Sequence, residues 1–445
     1  MSGEDSSATP RNAVVVGAGL AGLLAASVLA GADYDVTVVE RDRLPAGPDA
    51  RAGIPQAHHT HLLFEQGETG VEELLPGIRS ELREAGAVSL GLPGDLEWVG
   101  PAGVIPRFPS RRTVLSCTRP VLDWTVRRRV SRDPRISFRE GTRAIGLETS
   151  AGAVTGLRLR CGDTSEVIPA ALVVDASGRS SAAPAWLVDA GFPAPAEETV
   201  DAAIAYTTGL FRRTAPVPGP ARGVYLQVSG TSLPRFGIAL PVERDRWIVA
   251  VGGLRGHEPP TDQEGFAAFA ASLASPALAG FLAGAVADSP LRGFRPPGSR
   301  RRHFDRTARR PEGFVVVGDA VCTFNPVYGQ GMTVAVRQAL ALRGVLTDHG
   351  TGPGFTRRVQ RAVAAEATGP WKIAEAEDLR HPGTRGGHRT PLHRLQHAYL
   401  DRVQRAATAD VTANYALLDV LALCAPPTRL FAPSVLFSAL RHGGR

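Results

Sequence analysis

A run of valines that leads into a glycine-rich turn constrains the fold of this chain more than any other feature. Residues 14–16 are all valine, and Gly17, Gly19 and Gly22 follow in a G-x-G-x-x-G pattern. In such a turn the first glycine permits the tight bend, the second lets a ligand approach the backbone, and the third lets the helix pack against the strand. The N-terminus of that helix offers N–H groups and partial positive charge to an anion. The pattern therefore predicts a strand–turn–helix unit for a dinucleotide diphosphate.

A second strand and an acidic residue complete this unit. Residues 20–29 have the apolar pattern of a helix that ends at Gly31, and residues 35–39 form an apolar strand directly before Glu40. Glu40 follows the glycines by about 20 residues, where a carboxylate can accept hydrogen bonds from ribose hydroxyls. A purely structural glycine turn is the weaker interpretation, because strand, turn, helix, strand and acid all occur in the expected order.

A second glycine motif lies about three hundred positions downstream. The apolar residues 315–317 end in Gly318 and Asp319, and a segment with Gly329, Gly331 and Met332 then opens a helical pattern. The Asp319 carboxylate can accept from a ribityl hydroxyl, and backbone N–H groups at a helix start can face the pyrimidine edge of a flavin. Taken alone, the second motif could be a strand-to-helix turn with an aspartate cap. The two motifs in this order and at this distance indicate FAD.

The order of the predicted elements indicates an α/β fold. We expect a Rossmann-type FAD-binding domain of the glutathione-reductase-like kind, with an inserted antiparallel-sheet substrate domain and C-terminal helices. Alternating apolar strands between residues 204 and 251 mark the insertion. Residues 136–140, 144–149 and 154–160 have strand patterns that predict a three-stranded unit, and residues 61–75 have the apolar spacing of a helix. The expected boundaries are a disordered tail over residues 1–11, a first FAD-binding part over 12–200, the sheet domain over 201–298, a second FAD-binding part over 299–350 and a helical region over 351–445.

Composition excludes several other classes of protein. The formal net charge of +7 comes from scattered arginines, and Lys372 is the only lysine, which is a poor pattern for nucleic-acid binding. The four cysteines are far apart, so we expect reduced thiols and neither disulfides nor a zinc site. No run approaches the ~18 apolar residues of a membrane span, and the polar start lacks the pattern of a signal peptide. These features predict a cytoplasmic protein.

The chain resembles FAD-dependent monooxygenases of the para-hydroxybenzoate hydroxylase fold, and among them squalene-epoxidase-like and polyether-epoxidase-like bacterial enzymes. The similarity is carried by residues 17–22, 40–42, 51–63, 118–122, 173–179 and 318–332, and it extends over nearly the whole chain after the tail. Residues 370–371, 377–378 and 399–402 also fit the bacterial subgroup. The resemblance implies that Arg51 and Arg119 contact FAD phosphates or the ribityl chain, a role that suits the planar guanidinium fork. Solvent-exposed arginines are the alternative at both positions. The expected FAD contacts are Gly17, Gly19, Leu20, Ala21, Gly22, Glu40, Arg41, Arg51, Arg119, Asp319, Gly329, Gly331 and Met332.

Three histidines, His58, His59 and His61, form a cluster that raises the question of a metal site. No cysteine or acid at a usual spacing completes a ligand set, so we predict no metal. His61 is the candidate for a polar group near the flavin or the substrate, and a histidine that only satisfies local hydrogen bonds is the alternative. No other catalytic side chain can be named.

The resemblance implies an oxygenation reaction of secondary metabolism, such as antibiotic biosynthesis. Reduced FAD would react with O2 to give a C4a-hydroperoxide, which passes one oxygen atom to a hydrophobic polyketide or terpenoid intermediate. Because no strong protein base is evident, alkene epoxidation is favoured over phenol hydroxylation. The alternatives are an aromatic hydroxylase, a flavin dehydrogenase and a non-redox cyclase that uses FAD as a scaffold.

The source of electrons is also left open. NADPH or NADH would act either directly or through a separate flavin reductase. Ser177 stands where many related hydroxylases carry the acid of an Asp-Gly motif that helps to bind NADPH, which favours the separate reductase. Halogenation is disfavoured, since related halogenases need a lysine near the start of the chain and none precedes Lys372.

Overall fold

The computed structural model describes residues 11–215, 219–228 and 234–444. The tail predicted for residues 1–11 therefore lies outside the described residues, apart from Arg11, which begins the first strand. The strands are β1 (Arg11–Val16), β2 (Tyr34–Val39), β3 (Leu62–Phe64), β4 (Val88–Leu92), β5 (Leu96–Gly100), β6 (Gly103–Ile105), β7 (Arg112–Ser116), β8 (Ile136–Arg139), β9 (Arg143–Ser150), β10 (Ala153–Cys161), β11 (Thr164–Pro169), β12 (Leu172–Asp175), β13 (Glu197–Asp201), β14 (Ala205–Arg213), β15 (Gly223–Leu226), β16 (Arg235–Val242), β17 (Arg246–Gly253), β18 (Ala285–Ala287), β19 (Arg292–Phe294), β20 (Ser299–Arg302), β21 (Phe314–Val316), β22 (Cys322–Thr323) and β23 (Arg385–Gly386). The helices are α1 (Leu20–Ala30), α2 (Glu65–Leu74), α3 (Ile78–Glu84), α4 (Arg119–Val130), α5 (Ala183–Asp189), α6 (Gln263–Ala271), α7 (Ala277–Ala283), α8 (Gly331–His349), α9 (Phe355–Asp378), α10 (Pro391–Ala407), α11 (Val411–Leu421) and α12 (Pro433–His442).

A five-stranded parallel sheet forms the centre of the fold and confirms the predicted α/β class. Its strand order is β21-β12-β1-β2-β8, and every neighbouring pair is parallel. The valines of β1, β2 and β12 are buried, as expected for strands covered on both faces. Because parallel strands all point the same way, their carboxyl ends meet at one edge, which is where such sheets bind ligands.

A three-stranded antiparallel unit, β9-β10-β11, packs against this sheet. The sequence pattern favoured residues 136–140 as its first strand, and this assignment was wrong, because β8 joins the parallel sheet beside β2. The true third strand, β11, is mostly exposed at the edge of the unit and lacks an apolar pattern. Its composition therefore gave no strand signal.

The second large sheet contains the four predicted antiparallel strands and four further strands, β5, β6, β18 and β19, that were not assigned to it. Strands β14, β17, β16 and β15 are antiparallel neighbours, as expected. The sheet continues through β5, which pairs with β15 in parallel, and β6, both from much earlier in the chain. Residues 61–64, expected to begin a helix, instead contain β3, which pairs with β7; the helix α2 begins at Glu65.

The region after residue 350 is mainly helical, as predicted. Helix α9 carries Pro370 in its interior and packs against α8, whereas α10, α11 and α12 form a separate small cluster. Within the described part of the chain, no helix combines the length and apolar character needed to cross a membrane.

Candidate active site

A single large cavity of about 930 Å³ lies over the carboxyl edge of the parallel sheet. Four strands deliver lining residues there: Gly17 follows β1, Glu40 follows β2, Ser177 follows β12 and Asp319 follows β21. The other lining residues include members of the second large sheet and of α11. The cavity therefore joins the two glycine motifs, although they are about three hundred positions apart. Its size is in the range of about 300–1,000 Å³ found for ligand pockets.

The first glycine motif forms a backbone floor in this cavity. Gly17 has φ +101°, and a Cβ placed on it would lie 2.6 Å from the Ala176 carbonyl oxygen. A Cβ on Gly22 would lie 1.9 Å from the Gly17 carbonyl oxygen, so Gly22 serves helix packing and does not line the cavity. Gly19, by contrast, lines the cavity, and its nearest neighbour would be Nη2 of Arg51 at 4.0 Å. No side chain caps α1, so its N-terminal N–H groups face this open space.

Glu40 is buried and holds the loop around it. Its Oε2 accepts hydrogen bonds from the Ala18 amide at 2.8 Å and from Nη1 of Arg51 at 2.9 Å, and its Oε1 accepts from the Asp42 amide at 3.0 Å. Nη2 of Arg51 also donates to the Ala18 carbonyl oxygen at 2.8 Å. A carboxylate can accept about four hydrogen bonds, so Glu40 keeps capacity for a ribose hydroxyl. Arg41 lines the cavity nearby and donates to the Gly53 carbonyl oxygen at 3.3 Å.

We expect Glu40→Gln to lower the affinity for FAD about tenfold while leaving the affinity for FMN unchanged. The amide keeps the size of the side chain but loses the charge that orients Arg51 and that strengthens a bond to a ribose hydroxyl. FMN lacks the adenosine end, so it does not report on this contact. Fluorescence titration with both flavins measures the effect, with Glu166→Gln on the exposed β11 as control. An equal loss for both flavins would contradict the assignment of Glu40 to the adenosine end.

The second glycine motif supplies an unpartnered carboxylate and an open helix start. Within the described residues, the Asp319 carboxylate accepts no hydrogen bond, although it lines the cavity. Burial raises the pKa of Asp319, and the positive charges of Arg119 and Arg179 oppose that rise. Gly331 and Met332 begin α8 at the cavity wall, and a Cβ on Gly331 would have its nearest neighbour at 4.0 Å. Gly329, with φ +66°, makes the turn before them.

Arg119 opens α4 and connects the two motifs electrostatically. Its Nε donates to Oδ1 of Asp123 at 2.7 Å, and its side chain is largely buried at the cavity wall. The positive charge of Arg119 opposes the rise in the pKa of Asp319 and helps to lower the pKa of His61. The structure thus brings together along one cavity all the residues that the sequence predicted as FAD contacts, except for Gly22 behind the floor. Leu20 and Ala21 lie at the first turn of α1 within this set.

The three histidines of the cluster lie in different environments: His58 is exposed, His59 is buried and His61 lines the cavity. His59 is buried, its Nδ1 lies 2.9 Å from Oγ1 of Thr208, and its ring packs against Tyr206 and Phe294. His61 lines the cavity, and its Nδ1 lies 2.9 Å from the His59 carbonyl oxygen. Because a carbonyl can only accept, Nδ1 of His61 carries the proton and Nε2 is an acceptor.

His61 is therefore a neutral polar group. Burial, followed by the charge of Arg119, lowers the pKa of His61 to about 3, so the ring is uncharged at neutral pH and is a weak base. No group of three or more histidine, cysteine or acidic side chains suited to a metal ion occurs in the described ranges.

The other end of the cavity is apolar. Five aromatic residues of the inserted sheet are candidates for lining a pocket, although core packing is the favoured interpretation at each single position: Tyr206, Phe211, Tyr225, Phe236 and Trp247. Tyr206, Tyr225 and Phe236 line the cavity, whereas Phe211 and Trp247 pack in the core beside α6 and α7. A larger set of lining residues, which no local sequence pattern marks, comes from β4, β5, β16 and α11: Leu92, Leu96, Trp98, Ile238, Leu240, Leu418 and Leu421. Nε1 of Trp98 donates to Oε1 of Gln227 at 3.0 Å, so the polar atom of this wall is satisfied.

A buried acid behind the second motif was also missed. Asp378, the last residue of α9, accepts hydrogen bonds at its Oδ1 from the Tyr328 hydroxyl and from Nδ2 of Asn325, both at 2.8 Å. Tyr328 and Asn325 line the cavity. Burial raises the pKa of Asp378 to about 7, and the bonds from Tyr328, Asn325 and Ser299 oppose that rise. The resemblance includes Glu377 and Asp378, but no local pattern assigns Asp378 a role, because its partner Tyr328 is fifty residues away in the chain.

We expect Asp378→Asn to raise the melting temperature, with a gain that grows between about pH 4 and pH 7 and is level above. The ordinary pKa is 3.8 and the folded pKa is about 7, so the folded protein binds more protons than the unfolded chain in this window. Stability of the parent therefore falls as the pH rises through it, and asparagine removes this contribution. Thermal unfolding of both proteins from pH 5 to pH 8 should show a gain of a few degrees. A gain that does not change with pH would show that Asp378 is not protonated in the folded state.

Comparisons with known proteins agree with this geometry. The family model described as FAD binding domain matches residues 11–376. Protein Rv3254 of Mycobacterium tuberculosis (strain ATCC 25618 / H37Rv) is 34% identical over 385 residues, which cover 83% of this chain and 80% of that protein.

Several solved structures share the fold at low sequence identity. The flavin-dependent brominase Bmp2 is 13% identical with a TM-score of 0.69 and covers 96% of this chain and 98% of that one. PqsL, a probable FAD-dependent monooxygenase from Pseudomonas aeruginosa, is 19% identical with a TM-score of 0.62, over 83% of this chain and 94% of that one. The OxyS anhydrotetracycline hydroxylase from Streptomyces rimosus is 18% identical with a TM-score of 0.60, over 93% of this chain and 76% of that one.

Proposed function

Because the chain belongs to the FAD binding domain family, we propose that it is an FAD-dependent monooxygenase that inserts one oxygen atom into a hydrophobic natural-product intermediate. The favoured reaction is epoxidation of an alkene in a polyketide or terpenoid. One observation carries the proposal: a single cavity has the polar FAD-type motifs at one end and an apolar wall at the other.

The residues at the polar end fit FAD. Glu40 and Arg51 would hold the adenosine end, the Gly17 and Gly19 backbone with the start of α1 would hold the diphosphate, and Asp319 would accept from the ribityl chain. The start of α8 would face the flavin ring. When bound, FAD supplies the electrons and the activation of dioxygen that the protein itself lacks. The open space at Gly19 and the unpartnered Asp319 carboxylate are the features that such a cofactor would satisfy.

The remaining residues act on the substrate. The apolar wall around Trp98, Tyr225 and Phe236 would exclude water and hold the substrate near the cofactor. His61 would accept a hydrogen bond at Nε2, but its low pKa makes it a poor base. The cavity-lining acids are Glu40, Asp42 and Asp319, all at the polar end. The apolar end of the described cavity thus offers no direct base, which supports epoxidation, since that reaction needs none.

A second candidate, aromatic hydroxylation, is favoured by the contact between Tyr328 and Asp378. A phenol substrate gains from a group that removes the hydroxyl proton. Tyr328 lines the cavity, and its hydroxyl donates to Asp378, whose pKa of about 7 suits proton exchange near neutral pH. Bromination is not proposed, since the only lysine, Lys372, is far from the start of the chain.

Isotopically labelled dioxygen tests the proposal. The FAD-loaded protein is supplied with NADPH or NADH, with and without a separate flavin reductase, and is offered polyenes and phenols of matched size. The proposal expects product that contains one labelled oxygen atom, as an epoxide for a polyene. A labelled phenol product that is lost in Asp378→Asn would favour the second candidate. Oxidised product without the label would indicate a dehydrogenase, and an isomerised product without oxygen uptake would indicate a cyclase.

A further inference from the structure

A pair of arginines at the cavity wall is left without a role by the assignments above. Arg179 follows β12 and Arg300 lies in β20, and both line the cavity between the FAD motifs and the second sheet. The guanidinium of Arg300 donates to the backbone carbonyl oxygen of Arg179, which fixes the Arg300 side chain beside the segment that carries Arg179. The proposed FAD contacts use Arg51 and Arg119 and do not include this pair.

The positive charges of Arg179 and Arg300 are not neutralised by ion pairs with neighbouring acids in the described part of the chain. Nη1 of Arg179 is buried and donates no hydrogen bond within the described residues. Neither Arg179 nor Arg300 has an acidic oxygen within ion-pair distance in that part of the chain. Glu197, which acts on Arg300, is held by Nε of Arg302 at 2.7 Å. The charges of Asp319 and Asp201 raise the pKa of Arg179, but neither carboxylate lies within ion-pair distance of it.

For both arginines, burial and nearby positive charge lower the pKa of the guanidinium. Burial lowers the pKa of Arg179, and the charge of Arg300 lowers it further despite the opposing effects of Asp319 and Asp201. Burial, and then the charge of Arg302, lowers the pKa of Arg300. A bound anion would relieve this repulsion and would use the unpartnered Nη1, because guanidinium groups bind phosphate and carboxylate with charge-assisted bonds.

We propose that Arg179 and Arg300 form an anion subsite of the cavity, which binds a phosphate or carboxylate group of a second ligand beside FAD. The inference rests on the proposed function only for the presence of FAD in the same cavity. Such an anion would come either from the electron donor, as a phosphate, or from an apolar substrate, as a carboxylate. The subsite lies beside Ser177, which adds no negative charge at this position.

Calorimetric titration of the FAD-loaded protein tests the subsite with inorganic phosphate, NADPH, NADH and decanoate as probes. We expect at least one probe to bind, with a dissociation constant that rises about tenfold or more in Arg179→Gln and in Arg300→Gln. FAD affinity should remain unchanged in both variants. Arg132→Gln, at an exposed position of a different ion-pair cluster, is the control and should match the parent. Arg179→Lys should recover part of the affinity.

The pattern among the probes identifies the source of the anion. Binding of NADPH and inorganic phosphate points to the electron donor, a preference for NADPH over NADH points to its 2′-phosphate, and binding of decanoate alone points to a substrate carboxylate. The proposal is overturned if no probe binds at millimolar concentration or if the variants bind as tightly as the parent. It is also overturned if the variants lose FAD, because the arginines would then belong to the cofactor site. Failure of the labelled-oxygen experiment would affect the proposed reaction and leave these titrations unchanged.

Discussion

Replacing Gly19 by alanine is expected to weaken FAD binding by at least about 100-fold, equivalent to about 2.7 kcal/mol, while the protein remains folded. Gly19 has φ −80° and ψ 176°, which alanine adopts without strain, and its new Cβ would have no neighbour closer than 4.0 Å. The methyl group would occupy the floor of the cavity, where the FAD diphosphate must approach the backbone. Fluorescence titration of the FAD-free protein and its melting temperature measure the two effects.

Two other glycines provide matched comparisons for this variant. Gly344→Ala places a Cβ in open space on α8, so it should leave both FAD affinity and melting temperature close to the parent values. Gly22→Ala forces a Cβ to within 1.9 Å of the Gly17 carbonyl oxygen, so it should lower the melting temperature itself. If Gly19→Ala binds FAD as tightly as the parent, the diphosphate does not approach this turn.

Replacing Asp319 by alanine is expected to lower the affinity for FAD and for FMN alike, by about 10- to 100-fold. The carboxylate lines the cavity without a hydrogen-bond partner among the described residues, so its loss breaks no hydrogen bond within that part of the fold. It would remove a charge-assisted bond to a ribityl hydroxyl, which is worth about 1.5–3 kcal/mol. Because FMN and FAD share the ribityl chain, both should be affected. This result would differ from that of Glu40→Gln, which should affect FAD alone.

The controls for Asp319 separate charge from shape. Asp189→Ala removes an exposed carboxylate at the end of α5 and should leave flavin binding unchanged. Asp319→Asn keeps an acceptor and the shape of the side chain, so an intermediate loss is expected. Unchanged affinity of Asp319→Ala for both flavins would remove Asp319 from the cofactor site.

The polar end of the cavity could be predicted from sequence because its signals are local. Glycines 17, 19 and 22 report on one turn, and Glu40 and Asp319 each come directly after an apolar strand. Parallel strands bring their carboxyl ends to one edge, so residues at those ends meet even when they are far apart in the chain. The α/β class and the long helix α8 followed from the same local patterns.

The apolar end could not be predicted, since it depends on which face of a buried strand meets the cavity. Strands β14 and β16 are buried along nearly their whole length on both faces, so alternation does not separate lining from core residues. Tyr206 and Phe236 therefore line the cavity while Phe211 packs in the core.

Long-range contacts explain the other residues that the sequence did not reveal. Trp98 reaches the cavity because β5 pairs with β15, more than a hundred residues later. Asp378 lies behind the cavity wall, where the packing of α9 brings it to Asn325 and Tyr328. No periodicity in the sequence reports on these pairings.

Titration of the purified, FAD-free chain with FAD tests most directly the claim that both motifs grip one flavin in this cavity. Saturable binding of one FAD per chain, with quenched or shifted flavin fluorescence and a higher melting temperature, is the predicted result. A folded protein that remains colourless and shows no saturable response to FAD would contradict the account.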